Sequence, residues 1–474
     1  MFIVEQGRHR AKLIRSGGDS VPHFVTVKLI EIFSYWYWDN SKAGSARITV
    51  KLYLEDNTFY SGLAPLVSRR LKRWGYECKV EQKFDYSSDL NAGVMRINKY
   101  LQYSLRPYQV KAVAVGMRRA LTMHSMATGS GKSLVIAALL LADNVRSLVI
   151  VDSKTLMYQL ANDIQNATGV ECGLVGDSHF MPRKWTVAVT DSLITSKGLD
   201  LVRVVRALYF DEAHHVGAMS YQRIVDAGRH NVCVRRGFSG TAYRNDAKGF
   251  LLPALTGPIC FHISASELIE MGYLARPTIY IAKITKPVST ARYWKAIEGR
   301  CILRNRCRNL LGVKTILNAV DQDRPAVGFV RSVSVQLPII RRLLLKRLSR
   351  KDIGEIHGAV PGPKRGEILE EFQEGYKKVL LISIGTGGEG LDLSGEAKCG
   401  VNFLGGRSEI AARQMLGRLL RKPKDPNTNE VDITKPFNVL YLDYFDETHE
   451  WLEKHSINRM AIYESEEAFD VRRL

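Results

Sequence analysis

A run of small residues closed by a lysine and a serine, Met126-Ala127-Thr128-Gly129-Ser130-Gly131-Lys132-Ser133, carries the clearest chemistry in this sequence. The backbone N–H groups of such a loop can surround the phosphates of a nucleotide. Lys132 then reaches the β- and γ-phosphates, and the Ser133 hydroxyl binds Mg²⁺. We therefore expect the phosphates to be bound by six residues, Thr128, Gly129, Ser130, Gly131, Lys132 and Ser133. A loop of this composition also occurs without a nucleotide, so a second signal is needed.

The second signal is a pair of carboxylates at the end of an apolar run. Ala207-Leu208-Tyr209-Phe210 is typical of a buried strand and leads into Asp211, Glu212 and His214. Such a strand delivers Asp211 to a metal ion and Glu212 to an attacking water, at the sheet edge where α/β proteins bind ligands. The loop and the carboxylates together predict a site that binds and hydrolyses a nucleoside triphosphate.

Two arginines near the C-terminus could complete this site. Gln414, Arg418 and Arg421 recur at intervals of four and three, so a helix would place them on one face. Their guanidinium groups could then point at a γ-phosphate. The alternative is an ordinary solvated basic face of a helix.

Two further short motifs gain weight only from their positions. Arg106 and Gln109 lie about twenty residues before the phosphate loop, where a carboxamide can bind the adenine edge and a guanidinium can stack on the ring. Ser239 and Thr241 follow the carboxylate strand, and their hydroxyls could link His214 to a second lobe by hydrogen bonds.

The length and the alternation of elements predict the organisation of the chain. The 474 residues exceed one ordinary core. Residues 1–95 carry no nucleotide motif and are typical of a small α+β domain. Strands and helices alternate over residues 96–274 and again over 275–474, as parallel sheets require. Strands are predicted at Ser147–Val151, Thr186–Val189, Leu208–Phe210, Ala326–Val330, Val379–Ser383 and Val439–Leu442.

The N-terminal domain contains three features of its own. Residues 48–60 predict a hairpin turning at Glu55–Asn57, and residues 66–74 predict a helix that carries Arg69, Arg70, Lys72 and Arg73. The aromatic run Phe33–Trp38 is interpreted as core, with base stacking as the alternative. We expect this domain to bind DNA and to be dispensable for basal hydrolysis.

The bulk composition narrows the class of protein. The net charge of +20 and a pI near 9.6 favour a polyanionic partner. No apolar run is long enough for a membrane span, no signal peptide is visible, and seven cysteines form no CxxC pair, which predicts reduced thiols in a cytoplasmic protein.

This ordered series of motifs resembles the superfamily 2 helicases and translocases of the DEAH-box-like type. The resemblance covers roughly residues 100–425. Within that superfamily the chain looks most like the phage UvsW branched-DNA helicase family, because a small α+β domain precedes the motor and an HxxxRxxxY pattern ends it, at His455, Arg459 and Tyr463. The resemblance implies an α/β fold of two tandem RecA-like parallel-sheet lobes after the N-terminal α+β domain.

The resemblance also implies roles for individual residues. It makes Lys132, Asp211, Glu212, Gln414, Arg418 and Arg421 catalytic and assigns Ser133 and Asp211 to Mg²⁺. Arg106, Gln109, Gly390 and Asp392 join the phosphate loop in binding ATP, and His214, Ser239 and Thr241 couple hydrolysis to movement. Nucleic-acid contacts are implied at Ser153, Lys154, Thr155, Thr190, Ser192, Arg331, Ser332 and Thr386. Two departures are Met126, where the general loop pattern has glycine, and the glycine-heavy loop Gly385–Gly390.

From these residues we expect a monomeric ATP-dependent DNA motor that requires Mg²⁺. Its expected substrates are branched DNAs, namely forks and four-way junctions, with R-loops as a further candidate, which it would unwind or branch-migrate in replication, recombination and repair. We expect the protein to be cytoplasmic, and to work in the cytoplasm of the bacterial host if the chain comes from a bacteriophage. The alternatives are an RNA helicase, a double-strand translocase that separates no strands, and a non-catalytic nucleic-acid clamp. A clamp has no need of all five charged residues of the nucleotide site.

Overall fold

The computed structural model describes residues 1–39, 46–84, 93–213, 218–240, 250–383, 393, 397–406, 409–423, 431–434 and 437–474. Five predicted site residues, His214, Thr241, Thr386, Gly390 and Asp392, lie outside these ranges. The chain divides into two compact units. One comprises Met1–Met126 and Gly131–His262, and the other comprises Ala127–Ser130 and Ile263–Leu474.

The N-terminal region forms a mixed four-stranded sheet and a separate two-stranded one. Its elements are β1 (Phe2–Gln6), β2 (Arg10–Arg15), α1 (His23–Ile32), β3 (Ser34–Asp39), β4 (Ala46–Lys51), β5 (Thr58–Tyr60), α2 (Ala64–Arg73) and β6 (Cys78–Gln82). The larger sheet has the order β5-β2-β1-β6, and β3 pairs with β4. The predicted helix is present as α2. The predicted hairpin is present around its turn at Glu55–Asn57, where Tyr53 forms an antiparallel bridge with Phe59 and the N–H of Leu54 donates to the carbonyl of Thr58 over 2.9 Å. Beyond the turn the prediction is wrong, because β4 pairs with β3, and β5 also pairs with β2.

The rest of the first unit is a doubly wound sheet of the order β10-β9-β11-β8-β12-β13-β7-β14. Its elements are α3 (Gly93–Asn98), α4 (Pro107–Met117), β7 (Leu121–Met126), α5 (Lys132–Asp143), β8 (Ser147–Val151), α6 (Lys154–Thr168), β9 (Gly173–Gly176), β10 (His179–Met181), β11 (Trp185–Val189), α7 (Thr190–Leu193), α8 (Ser196–Arg203), β12 (Ala207–Phe210), α9 (Ala218–Ala227), β13 (Val234–Ser239), α10 (Leu251–Leu255) and β14 (Ile259–Ile263). The central strands β7, β8, β11, β12 and β13 are parallel. Their carboxyl ends therefore share one edge.

The second unit contains a seven-stranded sheet of the order β17-β18-β16-β19-β20-β15-β21, whose pairs are all parallel. Its elements are α11 (Ala265–Glu270), β15 (Arg276–Ile284), α12 (Trp294–Ile297), α13 (Arg306–Val320), β16 (Ala326–Val330), α14 (Gln336–Leu344), β17 (Ile353–Ile356), α15 (Gly362–Gln373), β18 (Val379–Ser383), β19 (Cys399–Asn402), α16 (Glu409–Leu419), β20 (Asn438–Asp446), α17 (Glu450–Glu464) and β21 (Asp470–Arg473). All six strands predicted from the sequence are present, and the α/β class with two RecA-like parallel-sheet lobes is confirmed.

The N-terminal region and the first lobe share one hydrophobic core. Apolar residues of both, such as Leu63 and Leu251, belong to a single buried cluster, and the ring of Phe33 packs edge-on against Phe250 with centroids 5.0 Å apart. A Cβ on Gly62 would lie 2.1 Å from the carbonyl oxygen of Pro253, so only glycine allows this approach. Polar contacts reinforce it, because the Tyr60 hydroxyl donates to Asp226 over 3.1 Å.

This shared core bears on two expectations. Phe33 and Tyr35 of the aromatic run are 1% and 2% exposed, so these two rings are core as interpreted. The side chains of Trp36, Tyr37 and Trp38 lie outside what the structure describes. A domain that contributes to the core of the first lobe does not fit the expectation that residues 1–95 are dispensable for hydrolysis.

The HxxxRxxxY pattern has a structural explanation in the second unit. Arg459, only 2% exposed, donates through Nε to Asp443 over 3.1 Å and through Nη1 to the carbonyl of Gly406 over 2.8 Å. The Tyr463 hydroxyl donates to the same Asp443 carboxylate over 2.8 Å. Helix α17 therefore holds the turn that precedes α16, because a buried charge must be paired to be tolerated.

Candidate nucleotide site and nucleic-acid edge

The phosphate loop connects β7 to the start of α5. Gly129 and Gly131 have φ values of +87° and +75°, which disfavour residues with a Cβ. Helix α5 begins at Lys132 with Gly131 as its N-cap and without a capping side chain. The first backbone N–H groups of α5 therefore remain available at its N-terminus, where these donors and the helix dipole favour binding of a phosphate.

Lys132 and the two carboxylates of the first unit are brought together. The Nζ atom of Lys132 lies 3.2 Å from Oε1 of Glu212, and the two side chains are 12% and 19% exposed. Glu212 has a φ of +42°, a left-handed conformation that is strained for a residue with a side chain. Strain of this kind clusters at functional sites. The predicted catalytic lysine and glutamate are thus neighbours before any ligand binds.

Asp211 fits the role of a metal ligand. Its Oδ1 atom is buried and has no hydrogen-bond partner among the described residues. Burial, and then the adjacent Glu212 carboxylate, raises the pKa of Asp211 to about 7. Among the residues described, no group of three or more His, Cys, Asp and Glu is arranged to hold a metal. Mg²⁺ in proteins usually takes one or two carboxylates together with phosphate oxygens and water, and a lone buried carboxylate such as Asp211 fits that preference.

Gln109 is buried and lies against the phosphate loop. Its Oε1 accepts a hydrogen bond from the backbone N–H of Arg106 over 2.9 Å, and Nε2 lies 3.5 Å from the carbonyl oxygen of Gly131. The Arg106 guanidinium donates to the hydroxyl of Tyr108 over 3.1 Å. The expected adenine-binding pair thus lies beside the loop, and its carboxamide already contacts protein backbone.

The predicted arginines belong to the second unit but do not share one helix. Gln414 and Arg418 lie on α16, which ends at Leu419. Arg421 follows the helix and forms a β-bridge with Leu274. The helical-spacing argument is therefore wrong for Arg421, because α16 ends at Leu419 and Arg421 pairs with Leu274 instead.

Within the same unit, α16 approaches part of the phosphate loop. A Cβ on Gly417 would lie 2.6 Å from Cβ of Thr128, and a Cβ on Gly129 would lie 3.4 Å from Cγ of Arg421. Thr128 and Gly129 are grouped with this unit. The segment that carries the arginines is therefore in van der Waals reach of these two loop residues.

Most of the predicted nucleic-acid contacts follow parallel strands at the same sheet edges. Lys154 and Thr155 are exposed after β8, and Lys154 pairs with Asp177 over 2.5 Å. Ser153 caps α6 by accepting the N–H of Leu156. These residues form a polar surface at the carboxyl edge of the first sheet.

Thr190 differs from its neighbours because its side chain is 7% exposed. Its hydroxyl lies 3.1 Å from Oδ1 of Asp152, which also accepts from the hydroxyl of Tyr221 over 2.7 Å. The Thr190 hydroxyl is therefore engaged inside the lobe, whereas Ser192 is half-exposed. Sequence reasoning missed Asp152, whose only signal is its position directly after β8.

The remaining predicted residues lie at two other strand ends. Ser239, the last residue of β13, is fully buried. Arg331 is exposed after β16 and pairs with Glu298. The Ser332 hydroxyl accepts the N–H of Val335 over 3.1 Å, at the start of α14.

Comparison with known protein families identifies the class. A profile described as the res subunit of type III restriction enzymes matches residues 102–244, and the helicase conserved C-terminal domain matches residues 309–423. The two matched segments contain the phosphate loop with its carboxylates, and the arginine segment, respectively. The chain therefore belongs to the superfamily 2 helicases, which are ATP-dependent enzymes.

Individual relatives are more distant. The chain is 29% identical over 362 residues to the DNA 3'-5' translocase XPB2 of Sulfurisphaera tokodaii, a match that covers 69% of this chain and 81% of that protein. It is 27% identical to a putative DNA 3'-5' helicase Rad25 of Halobacterium salinarum, with 74% of this chain and 57% of that protein covered. The chain thus spans little more than half the length of the second relative.

Among solved structures, the crystal structure of T4 UvsW aligns with 100% of this chain and 98% of its own, at 17% identity and a TM-score of 0.45. None of the helices in the described part of the chain is long and apolar enough to cross a membrane.

Proposed function

We propose that this chain is an ATP-driven motor that moves along DNA in the 3'–5' direction and remodels branched DNA. The observation that carries the proposal is the meeting of Lys132, Asp211 and Glu212 beside an uncapped helix N-terminus. The names of the relatives, DNA 3'-5' translocase and helicase, support the substrate and the polarity.

Each residue of the nucleotide site has a distinct task in this proposal. Lys132 leaves Glu212 to bind the β- and γ-phosphates, which frees the Glu212 carboxylate to orient a water molecule and accept its proton. Asp211 and Ser133 would hold Mg²⁺, which supplies charge neutralisation between the phosphates. The orphaned Oδ1 atom of Asp211 supports this assignment.

In the same proposal, the second unit supplies positive charge that stabilises the transition state of hydrolysis. Arg418 and Arg421 act as arginine fingers, and the approach of Gly417 to Thr128 supports their access to the loop. Gln414, one turn before Arg418 on α16, relays the state of the nucleotide to the nucleic-acid edge. A rigid bidentate donor suits a γ-phosphate better than a lysine does.

Specificity for branched DNA would come from the basic face of α2. Arg69, Lys72 and Arg73 are exposed on this helix, and Arg70 is half-exposed. Since the N-terminal region shares its core with the first lobe, a duplex bound by α2 would be fixed relative to that lobe. Phosphate contacts of this kind hold DNA without reading its sequence.

Charge reversal tests the role of α2. Replacing Arg69, Lys72 and Arg73 by glutamate should weaken binding to a four-way junction and reduce the salt slope by about 1 for each phosphate that the helix no longer neutralises. A matched control reverses Arg342, Lys346 and Arg347, three exposed cations at the end of α14 and just beyond it. Junction binding that responds equally to both variants would leave only a general charge effect.

A substrate panel tests the activity itself. Hydrolysis of ATP should be stimulated by single-stranded and forked DNA more than by RNA, and forks, four-way junctions and R-loops should be separated. Stimulation by RNA alone would favour an RNA helicase. Stimulation by duplex without strand separation would favour a double-strand translocase, and binding without hydrolysis would favour a clamp.

A further inference from the structure

Aromatic rings that no helicase motif explains lie at the carboxyl edge of the second sheet. Tyr293 and Trp294 belong to the segment that follows β15, and His449 and Trp451 lie in the turn after β20 and at the start of α17. Because β15, β16 and β20 are parallel strands of one sheet, these segments end at the same edge as Arg331. Ligands of open α/β sheets bind at that edge.

One histidine fixes the two segments to each other. The His449 ring accepts the backbone N–H of Trp451 at Nδ1 and lies 3.1 Å from the carbonyl oxygen of Ala291 at Nε2. A single neutral tautomer, protonated at Nε2, satisfies both bonds. The rings of His449 and Trp451 meet edge-on with centroids 5.3 Å apart. The arrangement is therefore held in place before any partner binds.

Two of the four rings are accessible, whereas Trp294 and His449 are half-buried. Tyr293 is 80% exposed and Trp451 is 36% exposed. Between the two segments lies a cavity of about 510 Å³, lined by Arg292, His449, Glu450, Trp451 and residues 289–291.

The cluster is continuous with a residue already expected to contact nucleic acid. The Arg331 guanidinium lies 5.7 Å from the ring centroid of Trp294, and the Trp294 ring is 5.6 Å from that of His455. The segment that carries Tyr293 and Trp294 is strongly positive, because residues 286–306 contain six lysines and arginines and a single carboxylate, Glu298, whereas the segment around His449 and Trp451 adds the carboxylates Glu447, Glu450 and Glu453. Flat rings among cations are the usual platform for unpaired bases.

We infer that these rings, Tyr293, Trp294, His449 and Trp451, form a stacking platform for the bases of single-stranded DNA. The inference rests on the proposed function. It places the single DNA strand that passes Arg331 at the carboxyl edge of the second sheet. Duplex DNA does not fit the same site, because its bases are already stacked and paired.

The test compares DNA binding by the full chain and by the double variant Tyr293→Ala, Trp451→Ala. Two fluorescent strands of equal length are used, an oligothymidine and an abasic strand. Loss of stacking should weaken oligothymidine binding about tenfold or more and leave abasic-strand binding unchanged. The salt slope should stay the same, since no charge is removed. The Tyr293→Phe, Trp451→Phe variant should bind like the unchanged chain.

A matched control is Tyr376→Ala, which removes a 71%-exposed ring in the turn before β18, at the amino end of that strand. The platform would be refuted if the double variant and the control bound oligothymidine with equal affinity. It would also be refuted if the double variant lost as much affinity for the abasic strand as for oligothymidine. If the unchanged chain binds neither strand nor any branched DNA, the proposed function itself fails.

Discussion

The ion pair between Lys132 and Glu212 makes Glu212→Gln the most informative single change. The two side chains are mostly buried and 3.2 Å apart, so each neutralises the other before ATP arrives. ATP must separate the pair, because Lys132 cannot contact Glu212 and the γ-phosphate in the same way at once. The amide keeps the size and the strained backbone of Glu212 but removes its charge.

The two effects of this change have opposite signs. A mostly buried ion pair of this kind contributes about 1 kcal/mol or more, so its removal should tighten ATP binding about fivefold or more. Turnover should fall by about 10²–10⁴, the usual contribution of a positioned general base. Lys132→Ala should also abolish turnover, but it should weaken ATP binding because it removes a phosphate ligand.

Calorimetric titration with ATP and a phosphate-release assay measure the two quantities separately. Glu367→Gln, which removes one carboxylate of an exposed ion pair on α15, is the control and should change neither. Weaker ATP binding by Glu212→Gln would refute the competition between the carboxylate and the phosphate. Turnover above about a tenth of the original would refute Glu212 as the base.

Three other outcomes follow from the structure. Arg418→Ala and Arg421→Ala should each lower turnover by about 10³-fold with little change in ATP affinity, as measured by the same two assays. Normal turnover in both variants would refute the role of these residues as arginine fingers. Deletion of residues 1–95 should yield an insoluble or inactive chain, because it exposes the core around Leu251, and a soluble, active product would contradict the shared core. Burial and the neighbouring Arg236 lower the pKa of His124 to about 3, so the unfolded chain binds a proton there first and stability should fall as the pH drops below about 6.5. Thermal melts of His124→Gln should show a flatter pH dependence than those of the unchanged chain, and identical slopes would contradict the assignment.

Much of the motor could be predicted because its signals are local. Buried parallel strands are continuous apolar runs, so β8, β16 and β18 are visible in the sequence, and the glycines of the phosphate loop follow from its backbone conformation. Non-local facts were missed. Strand β5 meets Tyr53 across the predicted turn on one side and pairs with β2 on the other, and nothing in the hairpin-like pattern of residues 48–60 indicates the second pairing.

Other differences have equally physical causes. Periodicity continues through Arg421, but the helix ends at Leu419, and helix boundaries are the least predictable feature of a pattern. The shared core of the N-terminal region depends on which apolar faces pack together, and this packing cannot be predicted from composition. The burial of the Thr190 hydroxyl follows from its contact with Asp152, a residue without a motif.

The central claim is that ATP hydrolysis by this chain drives directional movement on DNA. The most direct measurement is strand separation of forked DNA with a single 3' or 5' tail, followed together with phosphate release. We predict ATP-dependent separation of the 3'-tailed fork only, and its loss in Glu212→Gln although that variant still binds DNA. Equal separation of both forks, or separation that persists in Glu212→Gln, would contradict the account.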